Sequence, residues 1–329
     1  MRIAKSFIAG TIIVALLALS ALFTWGHNFD ERVPTWDDVY EFFGMAERIE
    51  KGEVYEQPFT MSFLDVGQGS ATLIHCEDPD FTMLVDTGEQ GNDGVILDEL
   101  KRLGTKRLDY VVLSHPHADH VGSFPELAKS NVTISNVMLP LLDTDRLGED
   151  TALYHVILGA VRTSGAKTVT AKPGMRIEKN AKSGDGKVTV EVLGPIGGKE
   201  AQTGNLNNRS VFVKVTYGDV SVLITGDGEW QEEDDVITWL NSDEGKASGV
   251  TGQATILVAG HHGSYTSSSR RFLAVVQPKY GIISCGKDND FGHPHDSTLE
   301  NFKDANARVY RTDELGTIVI GTDGKTLVN

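Results

Sequence analysis

Cysteine is scarce. The 329 residues hold two, Cys76 and Cys285, too few for a disulfide framework or a cysteine-rich zinc site, although one bridge between them is formally allowed. Positive charge is also in short supply. Thirty lysines and arginines face 46 aspartates and glutamates, a formal net charge of −16, so the surface as a whole repels nucleic acid unless basic residues cluster locally. Long apolar runs are missing after residue 25, which excludes a polytopic membrane protein, and no repeat of fixed period appears. A Gly-x-Ser-x-Gly elbow is absent, so the sequence does not point to a serine nucleophile. What remains is ordinary globular material: 40% hydrophobic and 23% charged residues in a chain long enough for a sizeable core.

The single apolar run covers residues 7–25, with Arg2 and Lys5 before it and Asp30 and Glu31 after it. That asymmetry keeps the N-terminus cytoplasmic and places everything after Trp25 outside the membrane. Two readings stand for residues 1–28. One is an uncleaved signal anchor, since about 20 apolar residues span a bilayer. The other is a signal peptide cleaved after Ser20, with Ala18 at the −3 position. Either one makes the protein extracytoplasmic, membrane-anchored or secreted. Residues 29–58 are charged, contain Pro34 and a short helical pattern over 36–49, and read as a stalk or leader. Residues 59–329 show no composition break and read as one domain.

Within that domain, short β-branched or alternating runs predict strands at 61–66, 71–76, 81–86, 108–114, 132–139, 188–193, 211–217, 220–225, 255–259, 280–284, 309–311 and 317–320. Helical periodicity is interleaved at 94–103, 151–161, 230–240, 267–276 and 297–305. Strands and helices mixed without strict alternation predict a layered α/β sandwich.

The strongest chemical signal is Ser114-His115-Pro116-His117-Ala118-Asp119-His120, directly after an apolar strand. Residues two apart in an extended segment face the same way, so His115 and His117 suit one cation, while the turn after Ala118 presents Asp119 and His120 to a second. Imidazole and carboxylate donors suit zinc, manganese or iron, with zinc the default for a redox-quiet site.

This loop is one piece of an ordered set. Phe63-Leu64-Asp65-Val66-Gly67-Gln68-Gly69-Ser70 and Leu84-Val85-Asp86-Thr87-Gly88 precede it; Asn207-Asn208-Arg209-Ser210, Leu223-Ile224-Thr225-Gly226-Asp227 and His261-His262-Gly263-Ser264 follow. Ser284-Cys285-Gly286, Asn289, Gly292-His293-Pro294 and Thr312-Asp313-Glu314-Leu315-Gly316 complete it. Over residues 60–322 the chain resembles the metallo-β-lactamase superfamily, and within it the stand-alone and ComEC competence-protein hydrolase domains. The resemblance implies a four-layer αββα sandwich of two mixed β-sheets flanked by helices. It further implies a metal-dependent hydrolase with two metal sites, one of them labile, filled by Zn2+ or Mn2+.

Asp227 ends an apolar strand, where its carboxylate bridges two cations; by composition alone it also suits the cap of the following helix. One of His261 and His262 closes the second metal's shell and its neighbour orients from behind; the sequence does not say which. Many members of the family supply a further histidine between the loop and the bridging aspartate. Here only His155 lies in that interval, inside a helical pattern, and the Asn-rich segment starting at Asn207 stands in its place. Asp65 and Asp86, at strand ends, suit the support of metal-bound imidazoles. Asp119 would orient a metal-bridged hydroxide, and His293 or Asn289 would contact the developing oxyanion.

The resemblance implies a phosphodiester substrate, such as DNA or a phosphodiester of the cell envelope. Between residues 162 and 187 seven basic residues accompany Glu178 and Asp185, a stretch that either tracks a phosphate backbone or forms a solvated β-region without aromatics to stack bases. Two other readings stay open: a small-molecule lactam or lactone hydrolase, and a non-catalytic membrane-tethered binding module. No protein partner is expected.

Overall fold

The computed structural model describes residues 18–22, 33, 49–182, 186–198 and 204–329. The apolar run 7–25 and the helical pattern 36–49 lie mostly outside the described residues; residues 18–22 are helical and Ile49 is buried. Among the described residues no helix is long and apolar enough to cross a membrane. The chain divides into Met1–Arg48 and Ile49–Asn329.

The larger unit begins before residue 59. Ile49 donates its N–H to the Tyr310 hydroxyl at 3.3 Å, Glu50 bridges to Val328, and the Tyr55 hydroxyl donates to buried Glu99 at 3.1 Å. The end of the expected leader is therefore part of the domain.

Two large mixed sheets face each other. The first has eight strands, in the order Leu327–Val328, Ile318–Thr322, Phe59–Phe63, Thr72–Cys76, Phe81–Val85, Tyr110–Val112, Asn136–Leu139 and Lys167–Thr170. The second has seven, in the order Arg308–Arg311, Tyr280–Ile283, Ile256–Val258, Val220–Ile224, Val213–Tyr217, Lys187–Val192 and Arg176–Asn180. Each joins an antiparallel portion to a parallel one: Phe81–Val85 and Tyr110–Val112 pair parallel, as do Val220–Ile224 and Ile256–Val258.

Side-chain alternation divides the apolar residues of the two sheets among three clusters. From Phe81–Val85, residues Phe81, Met83 and Val85 point between the sheets, while Leu84 points outward. From Val220–Ile224, Val220, Val222 and Ile224 point inward and Leu223 outward. The outward cluster of the first sheet includes Ile96, Leu100, Phe124 and Ile157 of its covering helices. That of the second includes Val236, Phe272 and Phe302. Each fully buried aliphatic or aromatic side chain stabilises this arrangement by about 1.5–3 kcal/mol. Three apolar interfaces define four layers, the αββα sandwich expected.

Three strands escape the sequence reading: Lys167–Thr170, Arg176–Asn180 and Leu327–Val328. The first two lie at sheet edges and carry exposed, charged side chains, which erase the apolar alternation. They leave the described part of the basic stretch largely exposed, as either reading of it expects. Arg176 and Lys187 both pair with Glu178, at 3.0 and 3.2 Å. Cys76 and Cys285 are free and buried, each thiol pushed up to about 12 by burial.

Candidate metal centre

The site collects at strand ends. The loop after Tyr110–Val112 carries His115 and His117; the short helix Ala118–Val121 carries Asp119 and His120. Asp227 follows Val220–Ile224, and His261 and His262 follow Ile256–Val258. Gly226 allows the approach of the Asp227 strand to the loop: its φ is +52°, and a Cβ there would lie 2.8 Å from Ser114. The Ser210 hydroxyl accepts the Asp227 N–H at 3.0 Å and fixes the backbone from the other side. The cap residue of helix Trp230–Asn241 is Glu229, so Asp227 is not spent on capping.

Two donor clusters form around Asp227. One combines Asp119, His120, Asp227 and His262; the other combines His115, His117 and Asp227. Asp227 Oδ1 lies 2.9 Å from His120 Nε2 and 3.6 Å from His262 Nε2. Its Oδ2 lies 3.7 Å from His115 Nε2 and 3.8 Å from His261 Nε2. One carboxylate oxygen therefore serves each side.

Tautomers follow from the outer contacts. His262 Nδ1 faces the Ser284 carbonyl at 2.9 Å, which accepts only, so Nδ1 carries a proton, and in the neutral ring Nε2 holds the lone pair. His120 Nδ1 lies 2.7 Å from the Asp86 carboxylate and is fixed the same way. The His120 and His262 Nε2 atoms are nevertheless 3.2 Å apart. In the second cluster His115 Nε2 and His117 Nδ1 are 2.9 Å apart, and His115 Nδ1 lies 3.0 Å from the Ser114 hydroxyl. These imidazole and carboxylate donors converge closely enough to share protons or a cation, and the set fits divalent metals.

Charge coupling is strong. Burial opposes charging of His120, but Asp227, Asp86 and Asp119 outweigh it and raise its pKa well above the ordinary value. Burial alone would raise Asp227, yet His120, His262 and His115 hold it well below the usual carboxylate range. Asp119 is lowered likewise by His120 and His262, against its own burial. Burial, assisted by His120, drives His115 down and keeps it neutral.

Asp86, His261 and His262 all have left-handed backbones, with φ of 60°, 51° and 56°. Each costs on the order of 1–3 kcal/mol for a residue that is not glycine, and three of the strained backbone positions lie at the site. Asp86 is a hub: its Oδ1 accepts the Ser114 N–H at 2.7 Å, and its Oδ2 accepts the Ser114 hydroxyl at 2.7 Å as well as His120 Nδ1. Asp65, by contrast, accepts among the described residues only the Gly67 N–H of its own turn, at 3.2 Å.

The structure separates the adjacent histidines. His262 joins the Asp119 cluster. His261 belongs to neither cluster; its Nδ1 lies 3.1 Å from the Thr266 hydroxyl and 3.6 Å from Glu229. Glu229, which the sequence reading missed, also accepts the side-chain amides of Asn205 at 2.8 Å and Asn207 at 3.2 Å. Asn207 thus approaches the centre through Glu229, and its buried Oδ1 has no hydrogen-bond partner among the described residues. His155 sits on helix Thr151–Ser164 with its side chain exposed.

His293 is buried and 5.6 Å, ring to ring, from His261. Gln68 Oε1 accepts the Gly286 N–H at 3.0 Å, so its Nε2 donates to His293 Nδ1 at 3.3 Å. His293 therefore keeps its proton on Nε2, free to donate. Burial and the neighbouring histidines lower its pKa to about 4. Asn289, expected to contact an oxyanion, spends its amide inside the loop: Nδ2 donates to the carbonyls of Gly286 at 2.9 Å and His293 at 2.6 Å, and Oδ1 accepts the His293 N–H at 2.9 Å. It positions His293.

The sequence matches the family described as Metallo-beta-lactamase superfamily over residues 64–287. ComE operon protein 3 of Bacillus subtilis is 27% identical over 274 residues, covering 78% of this chain and 32% of that protein. Competence protein ComA of Neisseria gonorrhoeae is 28% identical over 270 residues, covering 82% and 33%. The chain spans about a third of the length of these relatives. Among solved structures, a CmlA beta-hydroxylase mutant aligns at a TM-score of 0.46 with 13% identity, covering 87% of this chain and 59% of that one. With a family match across most of its sandwich domain, this chain belongs to the metallo-β-lactamase superfamily and is related to the ComEC-type competence proteins.

Proposed function

We propose that this chain is an extracytoplasmic metal-dependent hydrolase of phosphodiesters, with zinc as its metal. The observation that carries the reading is Asp227, which offers Oδ1 to one donor cluster and Oδ2 to the other. Two divalent cations held by these clusters would supply an activated water and neutralise charge on the phosphoryl oxygens.

The chain's own residues supply the rest. Asp119, partly exposed with Oδ2 3.2 Å from His262 Nε2, orients water at the mouth of the site. His293 donates its Nε2–H to the oxygen that gains negative charge, in the tautomer Gln68 imposes. Asp86 and the Ser284 carbonyl hold the imidazoles in register.

Phosphodiester chemistry is favoured because one curated relative is named for competence and another, in Haemophilus influenzae, for recombination. The location outside the cytoplasm rests on the apolar run behind Arg2 and Lys5. The test is turnover of bis(p-nitrophenyl) phosphate and plasmid DNA by the full chain loaded with zinc or manganese, beside a lactam and a lactone. Phosphodiester turnover that Asp119→Ala abolishes supports the reading. Turnover confined to the lactam or lactone replaces it with small-molecule hydrolysis.

A further inference from the structure

Three exposed aromatic side chains stand beside the metal-centre residues. Trp230, Tyr265 and Phe291 are 52%, 70% and 65% exposed. They lie two or three residues from Asp227, His262 and His293 respectively.

The rings are contiguous. Phe291 stacks on His293 with centroids 5.7 Å apart and planes 21° from parallel. His293 lies 5.6 Å from the His261 ring and 4.9 Å from His295. His295 meets Tyr265 edge-on at 4.9 Å, and its Nδ1 accepts the Tyr265 N–H at 3.2 Å. The Trp230 N–H donates to the Thr266 carbonyl at 2.9 Å, which ties the third aromatic's backbone to the Tyr265 loop. A series of rings therefore leads from the candidate metal centre to solvent.

Resting on the phosphodiesterase reading, the geometry points to Tyr265 and Phe291 as a stacking platform for unpaired nucleobases beside the scissile phosphate, which makes single-stranded nucleic acid the preferred substrate. A formal charge of −16 repels a phosphate backbone, so a nucleic-acid substrate has to be held by a contact that does not depend on positive charge. Base stacking on aromatic rings is such a contact, and it tolerates any base because every base has a π-face. A base inside a duplex has both faces covered by its neighbours, so only an unpaired base reaches the rings. Continuity with His261 and His293 places that base beside a phosphate at the metal centre.

The test uses the full chain and a single-stranded oligothymidylate carrying one 2-aminopurine, whose fluorescence reports stacking. Binding is followed with chelator present, and cleavage with zinc or manganese. The wild-type chain is expected to bind this strand at least about tenfold more tightly than the same strand made abasic around the probe, or annealed into a duplex. Tyr265→Ser and Phe291→Ser, at exposed positions whose folding is checked by circular dichroism, are expected to bring that ratio towards one. Equal binding of base-bearing and abasic strands by the wild type, or an unchanged ratio in both variants, overturns the platform. Cleavage without such discrimination removes the platform and leaves the phosphodiesterase; stacking and binding without cleavage removes the phosphodiesterase and leaves the platform.

Discussion

The Nε2 atoms of His120 and His262 lie 3.2 Å apart, although the two residues are 142 positions apart in the chain and each ring's Nδ1 is bound to a different partner. Asp86 fixes one ring and the Ser284 carbonyl the other. Two sheets thus deliver two imidazole nitrogens to one point, beside Oδ1 of Asp227.

Asp86 is the outer contact on which most depends. Asp86→Ala leaves the Ser114 N–H and His120 Nδ1 without their buried acceptor, a cost of about 1–3 kcal/mol for each group. It also frees the His120 ring, so zinc affinity should fall about 10- to 100-fold. Calorimetric zinc titration beside urea denaturation checks both effects.

The adjacent histidines should separate in experiment as they do in space. His262→Ala removes a donor from the Asp119 cluster and is expected to lower bound zinc by about one ion per chain. His261→Ala leaves both clusters intact and should retain the wild-type metal count. Elemental analysis of the two variants decides the assignment; a lost ion in the His261 variant instead would reverse it.

How much of this was legible in the sequence depends on where each signal resides. The His115 to His120 loop is contiguous, and its spacing offers two candidate donor sets without any knowledge of the fold. Inward-facing runs such as Val220 to Ile224 declare their strand by alternation. The choice between His261 and His262 was not legible, because both adopt left-handed backbones and periodicity says nothing there. Glu229 and Gln68 were missed for another reason. Their partners, Asn207 and His293, are 22 and 225 residues away, and single polar residues carry no local pattern. The edge strands Lys167–Thr170 and Arg176–Asn180 were hidden because solvation removes the apolar face that marks a strand.

Gly69 is a packing requirement behind Asp119. A Cβ there would lie 2.6 Å from the Asp119 carbonyl oxygen, which accepts the Ser70 N–H at 3.2 Å. Gly69→Ala should therefore destabilise by about 1–3 kcal/mol and displace the metal loop. A lowered urea midpoint together with weakened zinc binding is the expected result, and an unchanged midpoint would show that the loop absorbs the methyl group.

The contribution of Glu233 to stability should fall as pH rises towards neutrality, opposite in sign to that of the buried neutral His115 and His293. Burial pushes Glu233 up to about 7 from an ordinary 4.5, despite its bonds to the N–H groups of Ser268 and Ser269. Between those pH values the folded chain holds a proton that the unfolded chain releases, so stability present below about 4.5 is lost by about pH 7. Glu232, raised by burial to about 8, acts in the same direction. Glu233→Gln should flatten the decline by about 3 kcal/mol, measured by urea denaturation at successive pH values with chelator present.

The central claim is that one carboxylate serves two metal sites, and the most direct measurement is metal content per chain for the wild type and Asp227→Ala after zinc supplementation and dialysis. About two zinc ions in the wild type, with loss at both sites in the variant, is the result the account predicts. A wild-type chain without zinc, or a variant that still holds two ions, would contradict it.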